Sequence, residues 1–112
     1  MKLFTSLVVG LTLLGISLTG CQSETIPSDK ILVVSTNTII ADLTETIGGE
    51  AIEHIGILRP GDDPHTYEPV PRDVELIEKA DLIIYNGYNL EPALIRLIEA
   101  TGIQAQKLAV GE

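Results

Sequence analysis

The stretch Lys30–Gly49, KILVVSTNTIIADLTETIGG, decides the fold class because it passes directly from an apolar strand to an amphipathic helix. An unbroken apolar run such as ILVVS is typical of a strand that is covered on both faces. Thr36–Thr38 then supplies helix-capping side chains, and Gly48 and Gly49 stand where a left-handed cap would end the helix. Between them, the apolar residues that share one helical face are Ile39, Ile40, Leu43 and Ile47.

The same alternation of strand and helix continues to the end of the sequence. The isoleucine-rich run Ala51–Leu58 predicts a second strand, Asp81–Gly87 a third and Gln106–Val110 a fourth. Helices are predicted from Pro71, which suits a first helical position, and over Pro92–Thr101. Buried strands that alternate with helices indicate an α/β domain, in which a parallel four-stranded sheet carries helices on both faces.

The N-terminal residues have the composition of an export signal rather than of a folded domain. Residues 1–20 begin with Lys2 and continue as an apolar run diluted by Ser, Thr and Gly, which is too short for a good spanning helix. They end in Leu18-Thr19-Gly20-Cys21, which resembles the bacterial lipobox, where the cysteine is lipidated. Cys21 is the only cysteine, so no internal disulfide is possible. We therefore predict an exported, membrane-anchored lipoprotein, with a lipid on Cys21, a tether over 21–29 and a domain over 30–112.

Charge and motifs restrict the function classes. The 112 residues carry 7 Lys and Arg against 16 Asp and Glu, a net charge of −9 that argues against nucleic acid and tolerates a cationic partner. The sequence contains no phosphate-binding loop, no dinucleotide fingerprint and no nucleophile elbow. A hydrolase would require His65 to meet a nucleophile such as Ser35, and no motif supports that pairing. We predict that the chain is not an enzyme.

Three polar loops follow the first three strands and should meet at one edge of the sheet, where ligands bind in such folds. They are Ser35–Thr38, Gly61–Val70 and Tyr85–Asn89. His65 lies in the second loop, which three prolines stiffen, with acidic neighbours at Asp62, Asp63 and Glu68. Imidazole is a ligand for first-row transition metals, and carboxylates favour manganese. A solvated loop histidine is the alternative. The other histidine, His54, falls inside a strand and is predicted to pack there.

At these residues the sequence resembles a known family. GDDPHTYEPVPRDVELIEKADLIIYNGYNLEP, residues 61–92, and the strand and helix before it resemble the metal-binding lipoproteins of manganese and zinc ABC importers, the cluster A-I or cluster 9 solute-binding proteins. The resemblance is most specific at Asp63-Pro64-His65 and Ala80-Asp81-Leu82. It implies that His65 is the first of four metal ligands and that two α/β lobes, joined by a long helix, hold the metal between them.

The resemblance also defines what to expect of this chain's function. The other three ligands would come from chain beyond the first lobe, so these residues would form an N-terminal lobe with one ligand, a truncated form of the complete protein. The transported ion would be Mn²⁺ in preference to Zn²⁺, and the partners would be a membrane ABC permease and the lipid bilayer. A lipid-anchored adhesin or structural lipoprotein that does not transport metal is the alternative.

Overall fold

The computed structural model describes residues 29–112, and the predicted signal, Cys21 and nearly all of the predicted tether lie outside them. Every predicted strand and helix is present. Their order is β1 (Leu32–Ser35), α1 (Thr38–Gly48), β2 (Glu53–Gly56), α2 (Pro71–Lys79), β3 (Leu82–Tyr85), α3 (Pro92–Thr101) and β4 (Gln106–Ala109), with a 3₁₀ turn at Gly49–Ala51. Within residues 29–112 no helix combines the length and apolarity needed to cross a bilayer.

The four strands form one parallel sheet in the order β2-β1-β3-β4, which confirms the predicted fold class. β1 is central and pairs with both β2 and β3, and β4 pairs with β3. Because all strands run the same way, their carboxyl ends share one edge, and the loops that follow β1, β2 and β3 all leave from it. We call this edge, with those three loops, the rim.

Local chemistry explains where the helices begin and end. The Oδ1 atom of Asn37 accepts a hydrogen bond from the backbone N–H of Ile40 at 3.0 Å, so Asn37 is the N-cap of α1. The helix ends at Gly49, whose φ of 47° is a left-handed value that glycine tolerates best. At the start of α2, Asp73 accepts the backbone N–H of Val70 at 2.9 Å. These bonds satisfy amide groups that would otherwise be left unpaired at helix starts.

One face of the sheet is covered by α2 and α3 and holds the main core. Val34 of β1 and Ile83 of β3 point to this face, and both are fully buried. They pack against residues of the two helices and of the segment after β2, namely Ile57, Leu58, Ile77, Ala80, Leu94 and Ile98. Full burial of an Ile or Leu side chain contributes about 1.5 to 3 kcal/mol, so this layer supplies most of the apolar stabilisation of the domain.

The opposite face of the sheet is covered only in part. Of the apolar residues predicted to share one face of α1, only Ile40 is buried, while Ile39, Leu43 and Ile47 are 74%, 54% and 84% exposed. α1 lies over β1 and β2, and no element within residues 29–112 covers β3 and β4 on this side. An apolar groove of about 390 Å³ results, lined mainly by α1 and by the outward side chains of β1, β3 and β4.

Candidate functional site

The three predicted rim loops do converge. A cavity of about 320 Å³ opens between them and is lined by residues of all three loops and of α1. The loop after β1 and the start of α1 contribute Asn37 and Thr38, and the loop after β3 contributes Asn86. The loop after β2 contributes Asp62 and Pro64, the latter directly beside His65. His65 lies in the loop that leaves the carboxyl end of β2, next to Pro64, but it is not itself one of the residues that line this cavity.

The loop that carries His65 is held by its own acidic residues. The Oδ2 atom of Asp62 accepts the backbone N–H of Arg59 at 2.8 Å. The Oδ1 atom of Asp63 accepts the backbone N–H of His65 at 2.9 Å, and its carbonyl accepts the N–H of Thr66 at 3.2 Å. Such short side-chain to backbone bonds form turns of the Asx type. One oxygen of each carboxylate is thus occupied in shaping the turn, a role that the sequence Asp62-Asp63 before Pro64 already favoured.

The backbone of His65 is held by a hydrogen bond, whereas its imidazole ring is not. The residue is exposed, and no hydrogen bond or ion pair reaches its ring from any residue in the range 29–112. A ring with a fixed backbone and free nitrogens can take a metal ion with little loss of conformational entropy. Among residues 29–112, however, no group of three or more His, Cys, Asp or Glu side chains is placed to hold a metal ion together.

The far end of the same loop is fixed to α2 through Tyr67. Its hydroxyl donates to Oδ2 of Asp73 at 2.8 Å, the same oxygen that caps the helix. Burial raises the pKa of Tyr67 from 10.0 to about 12, and the hydrogen bond and negative charge of Asp73 contribute to the rise. A smaller contribution from the charge of Asp62 has the same sign, whereas that of Arg59 lowers the pKa. Tyr67 therefore remains a neutral donor over the ordinary pH range.

The other histidine, His54, packs within the domain, as predicted. Its side chain is only 6% exposed, its Nε2 lies 2.8 Å from the hydroxyl of Ser35, and its Nδ1 lies 3.1 Å from Oε1 of Glu45 on α1. The register of β1 and β2, in which Val33 pairs with His54, puts His54 and Ser35 on the same face of the sheet.

This geometry also argues against the hydrolase alternative. Ser35 was paired with His65 in that hypothesis, and the structure pairs it with His54 instead. Serine, histidine and a carboxylate in series resemble a catalytic triad, but Ser35 is fully buried and a nucleophile must reach its substrate. The constellation is a structural link between β1, β2 and α1.

A second buried polar group at the rim was missed by the sequence interpretation. Glu91, just before α3, is fully buried, and its Oε1 accepts both the hydroxyl of Thr36 at 2.8 Å and the backbone N–H of Asn86 at 2.7 Å. Its Oε2 has no hydrogen-bond partner among residues 29–112. In the sequence this position is marked only by an acidic residue directly before Pro92, after a strand and its loop. That local pattern does not indicate burial.

Comparison with known proteins identifies the family. Residues 33–112 match the family described as zinc-uptake complex component A, periplasmic (ZnuA). The chain belongs to this family. The resemblance noted in the sequence is thereby confirmed, and the family consists of substrate-binding components of ABC transporters rather than of enzymes.

Similar proteins of the ZnuA family include several streptococcal lipoproteins. The iron ABC transporter substrate-binding lipoprotein MtsA of Streptococcus pyogenes is 49% identical over 89 residues, which cover 77% of this chain and 29% of that protein. The manganese ABC transporter substrate-binding lipoprotein PsaA of Streptococcus pneumoniae is 46% identical over 91 residues, 81% of this chain and 28% of its own length. The chain thus spans less than a third of these relatives.

Solved structures agree with this assignment. The periplasmic zinc-binding protein TroA of Treponema pallidum superimposes with a TM-score of 0.69 at 37% identity, over 72% of this chain and 29% of that one. A manganese-bound periplasmic metal-binding protein of Candidatus Liberibacter asiaticus gives a TM-score of 0.66 at 28% identity, over 72% of this chain and 30% of that one. The described domain therefore has the fold of one part of a periplasmic metal-binding protein.

Proposed function

We propose that this chain is the N-terminal lobe of the solute-binding lipoprotein of an ABC importer for a divalent transition metal, and that His65 is one of the metal ligands. The observation that carries the proposal is the contrast within one residue: the backbone of His65 is fixed by Asp63, while its ring is exposed and unpaired at the rim. The relatives MtsA and PsaA, which are substrate-binding lipoproteins of iron and manganese ABC transporters, support a transition metal as the cargo.

The rest of the site would come from outside the described residues. A single imidazole leaves most positions around a metal ion to water, and the tight sites of transport proteins need several protein ligands. Because the chain spans 29% of its relative MtsA, the second lobe and its ligands would lie in the remainder that the relatives carry. In the complete protein, closure of the two lobes would bury the ion before transfer to a membrane permease.

Within this proposal, we also propose which ion is transported. We favour Mn²⁺ over Zn²⁺ because the sequence around His65 resembles manganese members of the family more closely than zinc members, and because the relative PsaA is a manganese ABC transporter lipoprotein. A competition titration of the complete protein would test this choice. Because most protein sites bind Zn²⁺ more tightly than Mn²⁺, the two free ions must be buffered at their physiological ratio. Retention of Mn²⁺ at that ratio would support the choice, and loss of Mn²⁺ to Zn²⁺ at the same ratio would leave zinc as the cargo.

The N-terminal residues complete the proposal. Residues 1–20 would be removed as a signal, Cys21 would carry the lipid, and residues 21–29 would tether the lobe to the bilayer. Metabolic labelling with a radioactive fatty acid should mark the wild-type chain, and a Cys21→Ser variant should take up no label. Equal labelling of the variant would remove the lipid anchor from the account.

The role of His65 is tested by a matched pair of histidine variants. In the chain completed to the length of its relatives, His65→Ala should weaken metal binding by on the order of a hundredfold, measured by calorimetry, because a ligand is lost outright. His54→Gln, which changes the other histidine, should leave the affinity within about threefold of wild type. Circular dichroism would confirm that both variants fold. Unchanged affinity in His65→Ala would refute the assignment.

The chain by itself provides a further check. With one imidazole available, we expect metal binding far weaker than that of the complete protein. Submicromolar, one-to-one binding of Mn²⁺ by these 112 residues alone would contradict the proposal that the site is shared between two lobes.

A further inference from the structure

We propose that Glu91 and Thr36 form a positioning pair that holds the three rim loops in register and thereby sets the place from which His65 is presented. The inference rests on the proposed function for its purpose, since the position of His65 matters only if the ring binds metal. Its physical content, a coupling between a buried carboxylate and the His65 loop, is independent of metal.

The side chains of Glu91 and Thr36 join the loops after β1 and β3, and the backbone of Thr36 adds the segment after β2. Oε1 of Glu91 accepts the hydroxyl of Thr36, which follows β1, and the backbone N–H of Asn86, which follows β3. Thr36 is fully buried and also makes two backbone bonds: its N–H donates to the carbonyl of Ile84 at 3.1 Å, and its carbonyl accepts the N–H of Leu58 at 2.9 Å. The backbone of Thr36 is therefore bonded both to β3 and to the segment that leads out of β2.

Leu58 is the point at which the His65 loop leaves the sheet. From Arg59 onward the loop is braced internally, by the bonds of Asp62 and Asp63 described above. A segment with its own internal bonds moves as a unit, so its orientation depends on how its first residues are held. The bond between Thr36 and Leu58 is one such attachment, and the bond to Glu91 fixes the side chain of Thr36.

On the side where the loops face the cavity, side-chain packing cannot hold them together in place of these hydrogen bonds. The cavity of about 320 Å³ lies between Asn37 and Thr38 on one side and Asp62 and Pro64 on another, so the loops do not close tightly against each other there. Two segments that face each other across a cavity lack the dispersion contacts that would fix their spacing. Hydrogen bonds through Thr36 then carry more of the task of keeping the rim in shape.

The burial of Glu91 is costly enough to call for an explanation. A carboxylate oxygen with no partner, fully removed from water, is among the least favourable groups in a protein interior, and native structures contain few. Proteins commonly break such local rules at functional sites. An apolar side chain would fill the space without that cost, but it could not accept the two donors that meet at Oε1. Positioning of the rim accounts for a buried side-chain acceptor at this position.

The test compares two threonines that undergo the same chemical change. Thr36→Val removes the hydroxyl that donates to Glu91. Thr44→Val is the matched control, because Thr44 is also buried and its hydroxyl donates within α1, to the carbonyl of Ile40 at 2.7 Å. Amide hydrogen exchange is measured by NMR in the full chain without metal, at the N–H groups of Leu58, Asp62 and His65. Glu91→Ala and Glu91→Gln complete the set.

We expect the changes in amide exchange to be confined to the His65 loop. Thr36→Val and Glu91→Ala should accelerate exchange in the His65 loop about tenfold relative to core amides of the same variant, whereas Thr44→Val should change loop and core amides in proportion. Glu91→Gln, whose amide oxygen can still accept both donors, should restore loop exchange to within about threefold of wild type. Loop exchange no faster in Thr36→Val than in Thr44→Val, or Glu91→Gln behaving as Glu91→Ala, would overturn the proposal.

The experiments distinguish a failure of the proposed coupling between Glu91, Thr36 and the His65 loop from a failure of the proposed function. The exchange experiment contains no metal, so it reports on the coupling alone. Calorimetry on the completed protein then reports the consequence: Thr36→Val should weaken metal binding about tenfold, and Thr44→Val should leave it unchanged. If the loop loosens but affinity is constant, the positioning role is refuted while His65 as a ligand stands. If His65→Ala binds metal normally, the proposed function falls whatever the exchange rates show.

Discussion

The two histidines of this chain stand in opposite situations. In His54 the ring is fixed: it is almost fully buried, with one nitrogen against the Ser35 hydroxyl and the other against Glu45. In His65 the backbone is fixed, by the Oδ1 atom of Asp63, and the ring is exposed. A histidine whose two nitrogens are engaged contributes to stability, and one whose nitrogens are free can accept a ligand. Residue type alone would not separate these roles.

The largest expected effect is a difference in the free energy of unfolding between variants of the two histidines. His54→Ala would remove both ring contacts and leave the buried hydroxyl of Ser35 without a partner, so we expect a loss of about 2 kcal/mol in the free energy of unfolding. His65→Ala, at an exposed position, should change it by less than about 0.5 kcal/mol. Urea denaturation measures both values. Equal losses in the two variants would mean that the ring of His65 is also structural.

A smaller effect should come from the backbone brace of His65. Asp63→Ala removes the acceptor of the His65 N–H, and we expect a loss of about 1 kcal/mol together with faster hydrogen exchange at that amide. Asp63→Asn keeps a side-chain oxygen that can form the same turn and serves as the control. If Asp63→Ala leaves exchange at His65 unchanged, then the loop is held by its prolines alone.

The sequence could supply the elements and the loop but not the partners of each histidine. Apolar runs, Asn37, the glycine pair and Pro71 are local signals, and they placed all strands and helices. The pairing of His54 with Ser35 depends on the register of β1 and β2, and the contact with Glu45 depends on how α1 lies across them. These are tertiary facts with no local signature, so the sequence could predict that His54 packs in the domain but not which side chains it contacts.

Burial was the other feature that local patterns could not give. The apolar residues Ile39, Leu43 and Ile47 repeat at helical spacing and share one face of α1, and in the structure they are exposed beside an open groove. Glu91 is the converse case, an acidic residue to which the sequence assigned no role and which is fully buried. Helical periodicity reports which side chains share a face, and only the assembled sheet decides what covers that face.

The contact between His54 and Glu45 should contribute less than the one between His54 and Ser35. The side chain of Glu45 is 69% exposed, and exposed pairs of this kind contribute on the order of 0.5 kcal/mol or less. A double-mutant cycle with His54→Ala and Glu45→Gln would give the coupling energy. A value above that of the corresponding cycle with Ser35→Ala would show that the surface carboxylate, and not the buried hydroxyl, fixes the ring.

The smallest effect concerns Tyr67, at the far end of the His65 loop, and appears only at high pH. Because the pKa of Tyr67 is raised from 10.0 to about 12, the unfolded chain loses this proton first as the pH rises. The stabilisation is complete below pH 10 and is lost between pH 10 and about 12. In Tyr67→Phe that part of the alkaline decline should be missing, as measured by thermal unfolding at a series of pH values. An identical decline in both proteins would contradict the raised pKa.

The most direct test of the central claim is to ask which histidine Mn²⁺ approaches. In the full chain labelled with ¹⁵N, a small amount of Mn²⁺ broadens the NMR signals of nuclei near the bound ion, even when binding is weak. We predict that broadening centres on His65 and its neighbours in the rim loop and spares His54. Broadening that centres on His54 and Glu45, or on the acidic surface of α2 with the His65 signals intact, would contradict the account.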